Sequence, residues 1–381
     1  MTDKPRFERE RVKLGDVAKL VMGQSPASSS YNSDGNGLPF YQGNADFGKK
    51  HPTPKSWCTE PKKIAEAGDI LLSVRAPVGA INIANEKCCI GRGLAAIRTN
   101  FHGISCGFLA LVLQSRLAYL EAVSTGSTFK SIGRQALAAC EVPLYPFEIQ
   151  GQIVLQFNGI DSCLQNARVR LALLDALVKS RFVEMFGDPI NQPRYQKQPI
   201  DKLAKVSSGA TPSRKRRDYY EGTIPWVKTG EVAQGTIQSA EEHITKEAVA
   251  NSSCHILPAG TILIAMYGQG DTRGKASLLA IDAATNQACA ALEFGQSIDS
   301  IYALTHLQLC YEDIRGLSLG GNQKNLSLQI VKGYELEVPP LPLQQEFADF
   351  VAQVDKSRFV VQQQIDKLQT LYDSLAQEYF A

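Results

Sequence analysis

The sequence predicts an α+β chain in which two similar globular domains are separated by a long antiparallel intramolecular coiled coil with pseudo-two-fold symmetry. Three observations carry that prediction. The chain of 381 residues repeats its motifs at an offset of about half its length. Short apolar runs that follow a glycine recur in each half, as buried strands do. Each half then ends in an apolar seam held over more than four heptads, which marks a coiled coil and not a lone surface helix.

The motif copies come first. Gly23-Gln24-Ser25-Pro26 returns as Gly209-Ala210-Thr211-Pro212, and Leu38-Pro39-Phe40-Tyr41 as Ile224-Pro225-Trp226-Val227, both displaced by 186 positions. Ala67-Gly68-Asp69-Ile70-Leu71-Leu72 is answered by Ala259-Gly260-Thr261-Ile262-Leu263-Ile264, and Glu141-Val142-Pro143 by Glu337-Val338-Pro339. A period near 190 residues is too long for a solenoid, so each unit is a whole domain plus a connector.

Within one unit an apolar segment opens the domain, Leu14 to Val21 and Ile200 to Val206. A turn-rich loop leads into the Pro-aromatic segment. The runs Ile70 to Val74 and Ile262 to Met266 are expected as buried strands. Ala80 to Ala84, Leu94 to Arg98, Ser277 to Ile281 and Ala288 to Glu293 continue a mixed sheet. Apolar residues recurring at three and four predict one helix from Phe108 to Val123 and another from Ser300 to Leu317.

After a proline-rich stop the seam begins. Ile153, Phe157, Ile160, Leu164, Ala167, Leu171, Leu174, Val178, Arg181 and Met185 step by four and three, and 194 positions later Phe347, Val351, Val354, Arg358, Val361, Ile365, Leu368, Tyr372, Leu375 and Tyr379 repeat the pattern. An arginine in each seam reads either as a register device or as a side chain snorkelling out of it. Neither helix has an evident partner in its own unit, so the two are expected to pair with each other, antiparallel. The boundaries expected are residues 1–148 and 188–342 for the domains, with helices at 149–187 and 343–381. The bar from Ile153 to Met185 spans roughly 50 Å at about 1.5 Å per residue. Such a bar suits two readers on duplex DNA, which advances about 34–36 Å per turn.

Composition narrows the classes. No apolar run approaches the roughly 18 residues of a membrane span, and the charged N-terminus lacks a signal-peptide core, so a cytoplasmic protein with no membrane partner is expected. The nine cysteines show no zinc-like spacing, no metal site is expected, and reduced structural thiols follow. Net charge is +2, so any basic footprint is local. Walker, Gly-x-Gly-x-x-Gly and amino-methyltransferase motifs are absent, which points to a reader without its own chemistry.

The copies diverge most in the loop after the Gly-x-Ser/Thr-Pro motif. Ser28-Ser29-Ser30-Tyr31-Asn32 faces Arg214, Lys215, Arg216 and Arg217, followed by Tyr219. The run reads as a solvated charged loop or as one that neutralises phosphates beside a stacking ring; its place in a duplicated domain favours DNA. Gln42, Asn44, Lys49, Lys50 and Lys228 follow the Pro-aromatic strand. Arg75 and Tyr267 end matched strands, with Arg273 in the loop beyond Tyr267. Lys130 and Lys324 sit in a paired polar loop, read as a backbone-positioning element or a plain surface turn. For partner docking and the coiled coil the candidates are Phe157, Leu164, Leu171, Leu174, Val351, Ile365, Leu368 and Tyr372.

The duplicated motifs, the Gly68-Asp69-Ile70-Leu71-Leu72-Ser73-Val74-Arg75 strand and the junction from Glu141-Val142-Pro143 into the seam resemble the specificity (S) subunit of type I restriction-modification systems. So do the helix ends Arg181-Phe182-Val183-Glu184-Met185-Phe186-Gly187 and Leu375-Ala376-Gln377-Glu378-Tyr379-Phe380. The resemblance implies two target recognition domains, each reading half of an asymmetric, split double-stranded DNA site. It implies helices that set the spacer and dock two methyltransferase (M) subunits, with restriction (R) subunits joining in phage defence. It implies no catalytic residue and no cofactor in this chain; S-adenosylmethionine, ATP and Mg belong to the partners. The alternatives are a specificity module of another phage-defence or DNA-modification system, or a coiled-coil adaptor that does not touch DNA.

Overall fold

The computed structural model describes residues 10–99, 103–125, 130–233, 235–268, 270–317 and 325–381. The chain divides into two compact units, Met1–Arg168 with Gln364–Ala381, and Val169–Gln363. The division falls inside two 40-residue helices, Phe147–Phe186 and Leu341–Phe380. Both helices start two residues before the expected 149 and 343.

In the first unit, strand Glu10–Lys13 pairs antiparallel with Glu141–Leu144, Val12 opposite Val142, and so ties the start of the domain to its last strand. Lys19–Met22, Leu94–Arg98, Ile70–Ser73 and Ile81–Ile83 form an antiparallel sheet in that spatial order. A second sheet contains Leu38–Tyr41, parallel to Cys88–Ile90. The runs expected to share a mixed sheet, Ile70–Val74, Ala80–Ala84 and Leu94–Arg98, do share one, but it is antiparallel throughout, and the parallel pairing lies in the other, five-stranded sheet. The second unit repeats the plan. Ala204–Ser208, Cys289–Phe294, Ile262–Ala265, Ala276–Leu279 and Thr236–Ile237 form the larger sheet, and Ile224–Val227 runs parallel to Ala284–Thr285 in the smaller.

The helix expected over Phe108–Val123 is broken into Cys106–Ser115 and Leu117–Ala122. Arg116 leaves helical geometry at φ −92° and ψ 12°, and its guanidinium donates to the Phe380 carbonyl at 2.7 Å. That long-range bond accompanies the break and is invisible to periodicity. The copy breaks at the equivalent position, Cys310, between Ser300–Leu309 and Tyr311–Gly316. Side-chain caps begin both first pieces, Ser105 accepting from Phe108 N and Asp299 from Ile301 N and Tyr302 N.

The seam is where the heptads put it. Ile153, Phe157, Ile160, Leu164 and Ala167 are buried, Leu171 and Leu174 half-buried; Phe347, Val351 and Val354 are buried, and Ile365, Leu368 and Tyr372 half-buried. In the first unit Phe157 meets Tyr372 at 4.8 Å and Tyr145 meets Tyr379 at 6.3 Å. In the second, Phe182 meets Phe347 at 5.4 Å, and Arg358 pairs with Asp175 at 2.8 Å. Residue numbers rise on one helix as they fall on the other, so the pairing is antiparallel within each unit. The seam arginines reach cross-helix ion pairs with exposed carboxylates, Arg181 with Glu346 at 2.9 Å and Arg358 with Asp175.

One expectation needs correcting. Each helix does have partners in its own repeat, because its start enters that domain's core, Ile153 and Phe157 beside Phe108 and Phe347 beside Tyr302, while its end enters the core of the other domain. Phe380 packs against Phe108 and Phe157, and its counterpart 194 positions earlier, Phe186, against Tyr302 and Phe347. Phe186 and Phe380 lie off the seam yet are 0% and 2% exposed. Gly187, in the left-handed region at φ +86°, then stops the first helix.

A matched pair of glutamines fixes each helix to its domain. Gln150 is fully buried; its Nε2 donates to Gly103 O at 2.7 Å and Tyr145 O at 2.8 Å, and its Oε1 accepts from Ser105 N at 2.8 Å. Gln344 repeats this with Ser297 O at 3.2 Å, Pro339 O at 2.8 Å and Asp299 N at 2.8 Å.

Candidate nucleic-acid interface

The Gly-x-Ser/Thr-Pro motif is explained by backbone crowding. A Cβ on Gly23 would overlap the Gly91 carbonyl, and one on Gly209 the Thr285 carbonyl. The next residues bond across that crossing, Gln24 N to Ile90 O at 3.0 Å and Ala210 N to Thr285 O at 2.9 Å. Each proline carbonyl then accepts from a tyrosine hydroxyl, Pro26 from Tyr31 at 2.9 Å and Pro212 from Tyr220 at 2.6 Å. The tyrosines pack on the Pro-aromatic strand, Tyr31 on Phe40 at 4.6 Å and Tyr220 on Trp226 at 5.8 Å.

Beside this clamp the two domains share a frame of equivalent backbone bonds. Gly91 N donates to Tyr41 O at 2.8 Å, and Asn286 N to Val227 O at 3.2 Å. Val74 N donates to Gly93 O at 2.9 Å, and Met266 N to Ala288 O at 2.8 Å. Ile132 N donates to Val74 O at 2.9 Å, and Leu326 N to Met266 O at 3.0 Å. The same strand ends and loops therefore converge in each copy, while the exposed side chains on them differ.

In the first domain the frame gathers Gln42, Arg75 and Lys130, all exposed. Ala76 N donates to Lys130 O at 3.1 Å, which holds the Arg75 and Lys130 loops side by side. Asn44 opens the 3-10 turn just beyond, where Asp46 accepts from Gln42 N at 2.8 Å. Lys49 and Lys50 are exposed but stand elsewhere. Lys50 O accepts from Ile83 N, opposite Ile70 at the start of the strand whose far end leads to Arg75. In the second domain the frame gathers Lys228 and the exposed Tyr267. Arg273 is half-buried in the following glycine-rich loop. Lys324, with the Gly126–Phe129 part of the polar loop, lies outside the described residues.

The frame also brings forward two residues that sequence reasoning passed over, Arg92 and Gln287, both exposed. The signal available was Gly91-Arg92-Gly93, a lone cation between two glycines, but its equivalence to Asn286-Gln287-Ala288 emerges only from the bonding.

The basic loop is more internally engaged than its sequence suggests. Arg214 pairs with Glu242 at 2.6 Å and lies over the Tyr220 and Trp226 rings, 4.2 and 5.0 Å from their centroids. Arg216 pairs with Asp218 at 2.6 Å and Glu247 at 3.2 Å, over Tyr219. The Arg214 hydrogen bond holds the Glu242 carboxyl below its usual range, and Glu241 and Glu242 push the Lys228 ammonium up. Tyr219 itself is buried, 7% exposed, with its hydroxyl accepting from Asn251 at 3.2 Å. It is a core ring and cannot stack on a base, which corrects its assignment as a DNA contact. Lys215 and Arg217 are exposed and have no ion pair among the described residues.

Duplicated α+β domains, each presenting a shared frame of strand ends and loops with unlike exposed side chains, define a two-headed recognition protein. Residues 8–172 and 194–370 match the family model of the type I restriction modification DNA specificity domain, and the chain belongs to that family. Over 161 residues, 42% of this chain and 38% of the relative, it is 42% identical to a putative type I restriction enzyme MjaX specificity subunit of Methanocaldococcus jannaschii. It thus spans about two fifths of that relative's length. It is 20% identical to the MjaIX specificity subunit of the same organism over 95% of this chain and 90% of that one. Among solved structures, the S subunit of a type I system from M. genitalium aligns with a TM-score of 0.61 at 15% identity, covering 100% of this chain and 98% of that one. A chain from a structure of type I system assembly and conformational transition aligns with a TM-score of 0.62 at 16% identity, covering 99% of each. These likenesses extend the fold over the whole chain. Among the described residues no helix is long and apolar enough to cross a membrane.

Proposed function

We propose that this chain is the DNA-reading subunit of a type I restriction-modification complex, each domain reading one half of an asymmetric bipartite site. The observation that carries the reading is the shared backbone frame with different side chains: Gln42, Arg75 and Lys130 in one copy, Lys228 and Tyr267 in the other. A shared frame supplies the same approach to DNA, and unlike side chains supply unlike base preferences. Lys215 and Arg217 add cations for phosphates beside the second frame.

The chain is proposed to be non-catalytic and cytoplasmic. Methylation, with S-adenosylmethionine, and ATP- and Mg-dependent restriction fall to two methyltransferase subunits and to restriction subunits. The paired helices are proposed to dock the methyltransferases and set the spacer. Exposed apolar side chains on them, Val169, Leu173 and Leu177 with Phe359 and Val360 in the second unit, support a docking role.

The test is retention of random duplex DNA by the full chain as salt is raised. Affinity is expected to fall steeply and linearly in log–log form, and site selection to return a split motif with unlike halves. Salt-independent binding, or no retention at low salt, excludes the proposal in favour of an adaptor.

A further inference from the structure

Arg92 and Gln287 occupy the same place in the two frames. In the first domain Gly91 N donates to Tyr41 O at 2.8 Å, Gly93 N to Gln42 O at 3.1 Å, and Gly93 O accepts from Val74 N at 2.9 Å, so Arg92 stands at the tip of a loop clamped on both sides. The clamp is tight: a Cβ on Gly93 would overlap the Gln42 carbonyl, and one on Gly91 would crowd the Phe40 ring. In the second domain Asn286 N donates to Val227 O and Ala288 O accepts from Met266 N, which places Gln287 at the equivalent tip.

The hydroxyl of the Gly-x-Ser/Thr-Pro motif supports both tips. Ser25 Oγ accepts from Arg92 N at 3.3 Å, and Thr211 Oγ1 donates to Gln287 Oε1. In the second domain Arg214, Arg216 and Lys228 are each paired with carboxylates. The Arg92 guanidinium is exposed and has no such partner among the described residues. An exposed guanidinium carried on a clamped stretch of backbone matches the O6 and N7 acceptors of guanine in the major groove. A carboxamide matches the N6 amine and N7 of adenine. The Gln287 Oε1 has two lone pairs, so the Thr211 bond leaves one for the adenine amine while Nε2 faces N7.

We propose that Arg92 and Gln287 are equivalent base-reading residues, Arg92 selecting a guanine in one half-site and Gln287 an adenine in the other, with Thr211 positioning Gln287. The assignment rests on the DNA-reading function proposed above. It goes beyond that function in naming the two side chains and their base classes.

The test is selection of binding sites from a random duplex library by the full chain and by the variants R92Q, Q287R and T211V. R92Q is expected to lose a guanine preference roughly ten- to hundredfold at one position of one half-site, leaving the other half as an internal control of folding. Q287R is expected to shift an adenine position toward guanine in the other half only, and T211V to weaken discrimination at that same position. If the wild-type chain returns a split motif and R92Q and Q287R return it unchanged, the assignment is wrong and the function stands. Uniform weakening of all sequences by R92Q, with a salt slope flattened by about one, makes Arg92 a phosphate contact and overturns its role. A wild-type chain that returns no motif overturns the function and this assignment together.

Discussion

His306 lies in the second domain's core, 1% exposed, its ring 6.1 Å from both Phe182 and Tyr302, with Nε2 accepting from Glu337 N at 3.5 Å. Burial, with Lys197 nearby, pushes its pKa down to about 3. An unfolded histidine titrates near 6.5, so between those values the unfolded chain binds a proton that the folded chain refuses. Stability from this group is therefore present above about pH 6.5 and lost as pH falls toward 3. Denaturant unfolding of the full chain is expected to show a loss of about 2 kcal/mol from pH 7 to pH 5. His306→Gln should flatten that dependence; an equally steep variant would place the titrating group elsewhere. Gln150 makes a second prediction at this scale. Gln150→Ala strands a buried N–H and two carbonyls and is expected to destabilise the first unit by about 3 kcal/mol, read as an earlier unfolding transition. Neither glutamine stands out by type, because a glutamine on an amphipathic helix looks like a surface residue. Only the spacing of 194 between Gln150 and Gln344, the same as that of the seam, hinted at a shared task.

At the scale of elements, what was legible followed from local period and what was not followed from long-range contact. The seam was readable residue by residue because a heptad repeat is a local property of the helix that carries it. The break at Arg116 was not: its guanidinium bonds a carbonyl more than 260 residues away, and the break recurs at Cys310, where no arginine marks it. The tyrosines beside the basic run hide their role for the same reason. Tyr220 bonds the motif proline and Tyr219 packs inward, so both belong to the framework of the loop. That division of labour separates the four cations. Lys215→Ala with Arg217→Ala is expected to reduce the salt slope of DNA binding by up to about 2, at roughly 0.9 for each phosphate that is no longer neutralised. Arg214→Ala should instead loosen the loop over Tyr220 and Trp226, detected as faster proteolysis there, with a smaller change in slope. An equal slope change from both variants would mean that the ion pair with Glu242 does not restrain Arg214.

At the scale of the whole molecule the duplication makes the domains interchangeable in principle, and the buried pair Gln150 and Gln344 says how. Phe147 and Leu341 begin the two long helices at the same offset of 194 that relates Gln150 to Gln344 and Phe186 to Phe380. The groups that receive Gln344, namely Asp299 N, Ser297 O and Pro339 O, all lie in the second domain itself. Replacing residues 10–146 with a second copy of 196–340 therefore offers Gln150 the same three partners it has now, and leaves both helices untouched. If each frame reads bases through its own strand ends and loops, the grafted chain is expected to select a motif whose two halves carry the same bases. The half at issue should change to that of the native second domain while the other half stays as it was. Duplex selection with the grafted and native chains in parallel measures this directly. Persistence of the original first half-site after its domain has been removed would place the reading outside the domains, in the helices or a partner. A single surviving half-site would show that the graft does not seat on the helix, and Gln150→Ala in the native chain would then be expected to erase the first half-site in the same way.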